Sequence, residues 1–394
     1  MIDLTPLLKD MAWPLTILIA WLAGEFAHEW VKLPRISAYA VVGFVLAPSQ
    51  IGLLPHVQPA TLLLANIALG LLLFECGYRI NLRWLRTNPW FAATSLIEAV
   101  LTFSAVYCIA RWFEQSLSTA LLLAALSMAT SPATIIRVIN EQRSSGQVTE
   151  RMLHLSALSC VLAVFVFKII TGLVVFQTSR NLWDATYSSS IVLLASLFLG
   201  AISGIIIPAL LRLSKRTAHD STLAFTVAVI CLVALTHSLK LSPVLAALTF
   251  GLCARHRRIV LSPSQRGFGA LGDLLSVFLF VFIAASLEWR QAVSGISLGF
   301  AIIAVRQVAK VVGIGIFSHL SGISWRKGFL IGIASTPISA FVILVLEQTR
   351  YIGINVIDQL APLAAAALTL EIFGPIFIQL ALSLAHEVPE SKEC

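Results

Sequence analysis

The chain has 394 residues, of which 58% are hydrophobic and only 12% are charged, and its mean hydropathy is +0.91. A soluble domain carries about 25% charged residues, so this composition excludes a soluble globular protein and indicates a polytopic protein of the lipid bilayer. The net charge of +8 is spread over short connections between apolar segments, so no nucleic-acid partner is predicted. The sequence contains no nucleophile motif or phosphate-binding loop, and an enzyme is not predicted.

Charged and Pro/Gly-marked breaks divide the chain into about thirteen predicted transmembrane helices, since each crossing needs about 20 mostly apolar residues. In chain order these spans cover residues 12–31, 36–54, 60–79, 90–112, 117–139, 151–177, 189–213, 221–238, 241–256, 267–287, 294–319, 327–347 and 359–385. The first ten residues do not have the pattern of a cleaved signal peptide. We expect a single transmembrane domain over 1–394 with no soluble regulatory domain.

The six cysteines lack the spacing of metal sites or of a disulfide framework. No cofactor and no resident metal are predicted, and the cysteines are interpreted as small hydrophobic residues or single site groups.

Basic residues in the connections predict the orientation. The odd-numbered connections hold seventeen Lys and Arg residues and the even-numbered ones hold five. By the positive-inside rule, the N-terminus lies outside and the C-terminus lies in the cytoplasm of a cell that carries this protein in its inner or plasma membrane.

An internal repeat is visible at an offset of 205 residues. Ala-Thr-Ser-Pro at 129–132 matches Ala-Ser-Thr-Pro at 334–337, and Arg-Ile-Ser at 35–37 matches Lys-Leu-Ser at 240–242. The matched spans are seven apart, so the two copies, about 33–177 and 239–385, would cross the membrane in opposite directions. Inverted-topology repeats are typical of secondary transporters.

Two prolines in matching positions predict interrupted helices. Pro132 and Pro337 stand inside the fifth and twelfth spans, where proline removes a helical hydrogen bond. Hydroxyls precede both of them, at Thr130, Ser131, Ser335 and Thr336. Freed carbonyls beside hydroxyls suit a monovalent cation, whereas an ordinary proline kink is the structural alternative.

Of the ionisable residues inside predicted spans, where a charge costs about 2.5–3.5 kcal/mol at the helix centre, six are the clearest candidates for a functional role. They are Glu75, Glu98, Lys168, Arg306, Lys310 and Glu371. Arg306 and Lys310 are four residues apart, so they share a face and need carboxylates or water. Glu98 and Glu371 are expected to compensate charge by pairing with bases or capping broken helices. Glu75 is either a structural partner of a buried base or part of an ion site.

The sixth span carries a polar stripe. Ser156, Ser159 and Cys160 are related by i, i+3 and i+4, and hydroxyls bonded back to the preceding turn are the alternative to a site lining. Lys168 follows Cys160 by eight residues, about 12 Å along the helix axis. That depth favours an acidic partner for Lys168, such as Glu98.

These segments resemble the monovalent cation:proton antiporters, and within them the sodium/proton exchanger branch. The likeness covers nearly the whole chain and is carried by seven motifs, at 33–54, 71–85, 129–138, 146–158, 241–252, 306–310 and 371–376. The resemblance implies a thirteen-helix fold with two unwound helices crossing at the ion site. It also implies a core domain that moves against a dimerisation domain, in a homodimer.

The resemblance also implies the ion site. Thr130, Ser156 and Glu75 match a threonine, a serine and a glutamate of that family's site. Arg306 and Lys310 match the basic positions of the late helix, one of which usually neutralises the unwound helices. Two family acids are absent: Ser131 stands in place of one, and Ser159-Cys160 replaces the usual Asn-Asp or Asp-Asp.

Coupling requires a group that is negative when it holds the cation and neutral when protonated. Serine does not ionise, and an unperturbed thiol has a pKa of about 8.5. Glu75 is then the remaining carboxylate, and exchange of one Na⁺ or K⁺ for one proton through it would be electroneutral. Two alternatives stay open: a transporter of an anion or other solute with the same fold, and a non-transporting membrane sensor or partner subunit.

Overall fold

The described part of the chain is a bundle of α-helices. The computed structural model describes residues 5–179, 182–213, 218–256, 267–287, 289–351 and 360–389, and no strand forms among them. The helices are α1 (Thr5–Trp30), α2 (Arg35–Val45), α3 (Pro59–Arg79), α4 (Leu82–Thr87), α5 (Pro89–Trp112), α6 (Leu117–Ser127), α7 (Pro132–Gln142), α8 (Gln147–Ser179), α9 (Leu182–Leu213), α10 (Ala218–Ser238), α11 (Pro243–His256), α12 (Gly269–Ala285), α13 (Trp289–Ser294), α14 (Ile296–Ser318), α15 (Trp325–Ala334), α16 (Ala340–Tyr351) and α17 (Ala361–Leu384). The predicted all-α class is confirmed.

Within these ranges, six helices are long and apolar enough to cross a membrane. They are α3, α5, Gln147–Gly172 of α8, Ser190–Arg212 of α9, α14 and α17. The remaining predicted spans contain shorter helices, among them the part Thr222–Ser238 of α10, or in the case of α1 a helix with more polar residues. Several basic residues used to predict the orientation lie outside the described residues: Arg180, Lys215, Arg216, Arg257, Arg258 and Arg266.

The second predicted span is shorter than expected. Helix α2 ends at Val45, whereas the sequence predicted a span to residue 54. Pro48 disfavours the helical conformation at the residue before it, and Gly52 adopts a positive φ of 77°. The apolar residues after Val45 therefore form turns, which hydropathy alone does not distinguish from helix.

The predicted interruptions at the two prolines are confirmed. The fifth span consists of α6 and α7, with residues 128–131 unwound between them, and the twelfth consists of α15 and α16, with residues 335–339 between them. Pro132 is the first residue of α7, a position where its missing N–H costs nothing. The Ser131 hydroxyl caps this helix by accepting a hydrogen bond from the Thr134 N–H at 3.3 Å.

Helices α5 and α14 approach each other closely at a glycine. A Cβ atom added to Gly313 would lie 2.7 Å from the Glu98 Cα atom, so a larger residue there would push the helices apart. Lys310 lies one turn before Gly313 on the same face. This contact brings the Lys310 side chain within reach of Glu98.

Candidate functional site

The two unwound segments cross each other inside the bundle. Thr130 and Ile338 form an isolated antiparallel bridge, and the Ser131 N–H donates to the Pro337 carbonyl at 3.2 Å. Both Thr130 and Ser131 are buried. The backbone between the half-helices is thus partly satisfied by the other interrupted helix, as irregular backbone at membrane depth requires.

Arg306 on α14 joins the two broken helices. Its guanidinium donates to four backbone carbonyls. Two belong to the end of α6 and the residues just after it, and two belong to the segment after α15. The acceptors are the carbonyls of Ser127 at 2.8 Å, Ala129 at 3.0 Å, Pro337 at 3.2 Å and Thr336. The side chain is 1% exposed, and it places a positive charge at two helix C-termini, the ends with negative partial charge.

Lys310, one turn further along α14, binds the same crossing. Its Nζ atom donates to the Met128 carbonyl at 3.1 Å and to the Thr130 hydroxyl at 3.0 Å, and it forms an ion pair with Glu98. Lysine and glutamate are both buried. The carbonyls that the sequence suggested as cation ligands are therefore largely occupied by the two bases.

The polar stripe of α8 reaches both interruptions. The Ser159 hydroxyl accepts a hydrogen bond from the Thr130 N–H at 3.2 Å, and the Cys160 thiol lies 3.8 Å from the Ser339 hydroxyl. Ser156 donates to the Leu153 carbonyl at 2.9 Å, one turn back on its own helix. Ser159 and Cys160 therefore contact the crossing directly, whereas the Ser156 hydroxyl bonds within its own helix.

The hydroxyls before Pro337 also bond locally. Ser335 donates to the Ile331 carbonyl at 2.9 Å, and Thr336 donates to the Ile333 carbonyl. These contacts are those of residues that satisfy a helix end, and the Thr336 carbonyl also accepts a hydrogen bond from Arg306 at the crossing.

The structure does not bring Glu75 to the crossing. The carboxylate is 1% exposed and accepts hydrogen bonds from Arg79 at 2.6 Å and from the Asn140 amide at 3.1 Å. Asn140 lies eight residues after Pro132, about 12 Å along α7. Glu75 thus lies about two turns from the break, where it pairs with a base.

Glu98 and Glu371 were both expected to pair with bases or cap broken helices, but of the two only Glu98 pairs with a base among the described residues. Glu98 pairs with Lys310, so it is not free to be the dedicated partner proposed for Lys168, which lies half-buried on α8. Glu371 is 4% exposed, and its Oε1 atom has no hydrogen-bond partner among the described residues. The expected base opposite Glu371 is therefore not found in the described part of the chain.

Three polar residues at the site escaped the sequence reasoning. Thr134 donates from its hydroxyl to that of Ser131 at 2.8 Å, Ser339 contacts Cys160, and Asn140 holds Glu75. Thr134 and Ser339 are themselves separated by 205 residues, so the internal repeat carried a signal for both. No comparable signal marked Asn140.

A cavity of about 1640 Å³ lies beside Glu75, between helices α1 and α2 on one side and α7 and α12 on the other. Arg79 and Asn140, the two partners of Glu75, are among its lining residues. Glu141 on α7 connects this helix to α2 and α1. Its carboxylate accepts a hydrogen bond from the Arg35 N–H at the start of α2 at 3.2 Å and lies 2.8 Å from the His28 ring on α1. The cavity therefore borders both side chains that hold Glu75.

Comparisons with known proteins agree with this architecture. The family model for the transmembrane region of sodium/hydrogen exchangers matches residues 15–382. A curated relative, the low-affinity Na⁺/H⁺ antiporter NhaS1 of Synechocystis, is 29% identical over 145 residues, which are 36% of this chain and 27% of that protein. The match thus spans about a quarter of the length of the curated relative.

Two solved structures of the sodium proton antiporter MjNhaP1 from Methanocaldococcus jannaschii have a similar fold. One, determined at pH 8, has a TM-score of 0.67 at 15% identity and covers 95% of this chain and 96% of that one. The other, from electron microscopy, has a TM-score of 0.67 at 18% identity and covers 94% and 93%. At these identities the likeness shows the fold alone, while the family match over most of the length decides membership: the chain belongs to the sodium/hydrogen exchanger family.

Proposed function

We propose that this protein is a secondary active transporter that exchanges a monovalent cation, Na⁺ or K⁺, for protons. The observation that carries the proposal is the crossing of two interrupted helices whose carbonyls bind Arg306 and Lys310, in a member of the sodium/hydrogen exchanger family. The named relatives are sodium/proton antiporters. Broken helices facing one another across an inverted repeat suit alternating access to a central site.

The crossing supplies oxygen ligands that a cation can use. The hydroxyls of Thr130, Ser159 and Ser131 are buried there, and the first accepts its hydrogen bond from Lys310. A cation that binds next to Thr130 and Glu98 competes with the Lys310 ammonium for the same oxygens. Cation binding and the position or protonation of Lys310 are then linked.

Glu75 is the sequence-based candidate for the coupling carboxylate, because a single acid that exchanges one cation for one proton makes transport electroneutral. Its burial supports this role, whereas its ion pair with Arg79 and its place two turns from Pro132 speak for a structural one. Glu75→Gln distinguishes them. Loss of exchange in a folded variant supports coupling, and unchanged exchange assigns Glu75 to structure.

The function is tested in proteoliposomes that carry a pH gradient and a pH-sensitive dye. Addition of Na⁺ or K⁺ should collapse the gradient, and an empty-liposome control should not respond. Repetition with and without a clamped membrane potential tests electroneutrality, because an electroneutral exchanger is insensitive to the clamp. No response to any alkali cation between pH 6 and pH 9 would refute the proposal.

A second candidate is a transporter of an anion with the same fold. The crossing holds two bases and one acid, and Ser131 and Cys160 stand where relatives of this type are expected to carry carboxylates. An excess of positive charge at a buried site favours a negative ligand. A thermal shift caused by an organic anion, together with no response to alkali cations, would favour this candidate. The absence of any flux, together with a stable complex with another membrane protein, would instead indicate a sensor or partner subunit.

We further propose a homodimer in the cell membrane, with the N-terminus outside and the C-terminus in the cytoplasm. The loop charges and the family's usual organisation support these two points. Mass measurement in detergent tests the dimer, and reporter fusions at each terminus test the orientation.

A further inference from the structure

Glu371 on α17 is a buried carboxylate that the site described above does not use. Its exposure is 4%, and its Oε1 atom accepts no hydrogen bond from the described residues. Within the same ranges, no Lys, Arg or His nitrogen lies within ion-pair distance of it. Glu371 therefore differs from Glu75 and Glu98, each of which is held by a base.

The position of Glu371 is set by a close contact one turn away. A Cβ atom added to Gly374 would lie 2.9 Å from the Pro337 Cγ atom and 3.1 Å from its Cβ atom, so α17 packs directly against the second helix break. Residues three apart on a helix are neighbours on its surface, about 4.5 Å along the axis. Glu371 thus lies next to the face of α17 that covers the unwound segment at Pro337.

The helices packed against α17 offer no uncommitted charge to Glu371. These helices are α2, α7, α13, α14 and α15. On α14, Arg306 binds the crossing and Lys310 binds Glu98. On α2 and α7, Arg35 binds Glu25 and Glu141, Arg137 binds Asp273, and Tyr39 is buried beside the cavity. On α13 and α15, Arg290 is exposed, Arg326 binds the Leu384 carbonyl and Lys327 binds Gln147. The positive groups are therefore engaged elsewhere or face the surface.

A carboxylate in such surroundings is neutralised by a proton or by a cation. Burial of an ionised carboxylate without a partner costs several kcal/mol even after relaxation. A proton that adds to one oxygen removes this cost, and so does a monovalent cation bound between the carboxylate and neighbouring backbone oxygens. Because only one of the two can be held at a time, the group has the property that coupling requires.

We propose that Glu371, in place of the sequence-based candidate Glu75, is the carboxylate through which a proton and a monovalent cation exchange in this chain. The step is balanced: the cation binds the carboxylate, the carboxyl O–H bond breaks, and the proton leaves to water on the side from which the cation came. Glu371 then takes the role that Ser131 and Cys160 do not perform. This inference deepens the proposed function and rests on it.

The test compares the wild type with Glu371→Gln and Glu371→Asp in the proteoliposome assay. Glutamine mimics the protonated side chain and cannot release its proton, so Glu371→Gln should lose cation-driven proton flux. Aspartate keeps the titratable group and should restore part of the flux. Glu114→Gln, which changes an exposed acid between α5 and α6, is the control for the loss of one negative charge and should behave like the wild type.

A second measurement uses the wild type alone and does not depend on the folding of a variant. A hydrophobic carbodiimide modifies protonated carboxyl groups within membrane proteins, and peptide mass spectrometry locates the product. We expect modification at Glu371 that decreases as Na⁺ or K⁺ is added. Modification that is absent, or that the cation does not change, would overturn the inference.

The outcomes separate this inference from the proposed function. A wild type that exchanges no monovalent cation overturns the proposed function, and the coupling role of Glu371 with it. A wild type that exchanges cations, beside a folded Glu371→Gln variant that exchanges them equally well, overturns only the role of Glu371.

Discussion

Replacement of Arg306 tests whether this side chain holds the two broken helices together. In Arg306→Ala, the carbonyls of Ser127, Ala129, Thr336 and Pro337 lose their shared donor. A buried acceptor left without a partner costs about 1–3 kcal/mol. The Pro337 carbonyl keeps its hydrogen bond from the Ser131 N–H, so three such acceptors predict a loss of about 3–9 kcal/mol in the free energy of unfolding, and water entry favours the lower end.

The assay is unfolding of the purified protein in detergent, followed by tryptophan fluorescence during titration with a denaturing detergent. Arg306→Lys keeps the charge but presents three donors from one nitrogen, so it should lose about half as much stability as the alanine variant. Arg326→Ala is the matched control, because this exposed arginine donates to a single carbonyl. A stability of Arg306→Ala equal to that of Arg326→Ala would refute the reasoning.

Three further predictions concern contacts around the site. Lys310→Met leaves the Glu98 charge buried and should lower the free energy of unfolding by about 3–5 kcal/mol, while the double replacement of Lys310 and Glu98 by methionine should lower it less. Equal losses in the same unfolding assay would contradict a buried ion pair. Gly251→Ala places a methyl group against the backbone of α3 and should destabilise by about 1–3 kcal/mol, whereas Gly315→Ala, with no neighbour closer than 3.9 Å, should stabilise its helix by up to about 1 kcal/mol; melting temperatures that shift in the same direction would be inconsistent with this packing. Glu141→Gln weakens charged hydrogen bonds between α7 and α2, each worth about 1.5–3 kcal/mol, and should speed hydrogen exchange at the first amides of α2; unchanged protection there would argue against the contact.

The two helix breaks were partly predictable from the sequence. Proline has no N–H and its ring clashes with the preceding turn, so it weakens a helix wherever it stands in a span. Pro14, Pro208 and Pro375 nevertheless lie inside α1, α9 and α17, so proline alone does not locate a break. The offset of 205 residues then identifies the two breaks as equivalent. The same offset connects Thr134 with Ser339, which both lie at the crossing in the structure.

Pair formation between charges was only partly predictable. Arg306 and Lys310 had to share a face because they are four residues apart, and both needed compensation at membrane depth. The sequence could not specify that backbone carbonyls of both broken helices would compensate Arg306, or that Glu98 rather than Glu371 would meet Lys310. These choices depend on the approach of α5 to α14 at Gly313, a contact between residues more than two hundred positions apart.

The sequence by itself determined the helical membrane class, the positions of both helix breaks and the set of buried ionisable residues, because these follow from hydropathy and local backbone chemistry. Only the tertiary structure decided which charges meet. It pairs Glu75 with Arg79 away from the crossing, and it places Glu371 one helical turn from the contact of Gly374 with Pro337, with no base opposite it in the described residues. Periodicity along one helix gives the face on which a charge lies, whereas the neighbour across that face depends on how the whole bundle packs.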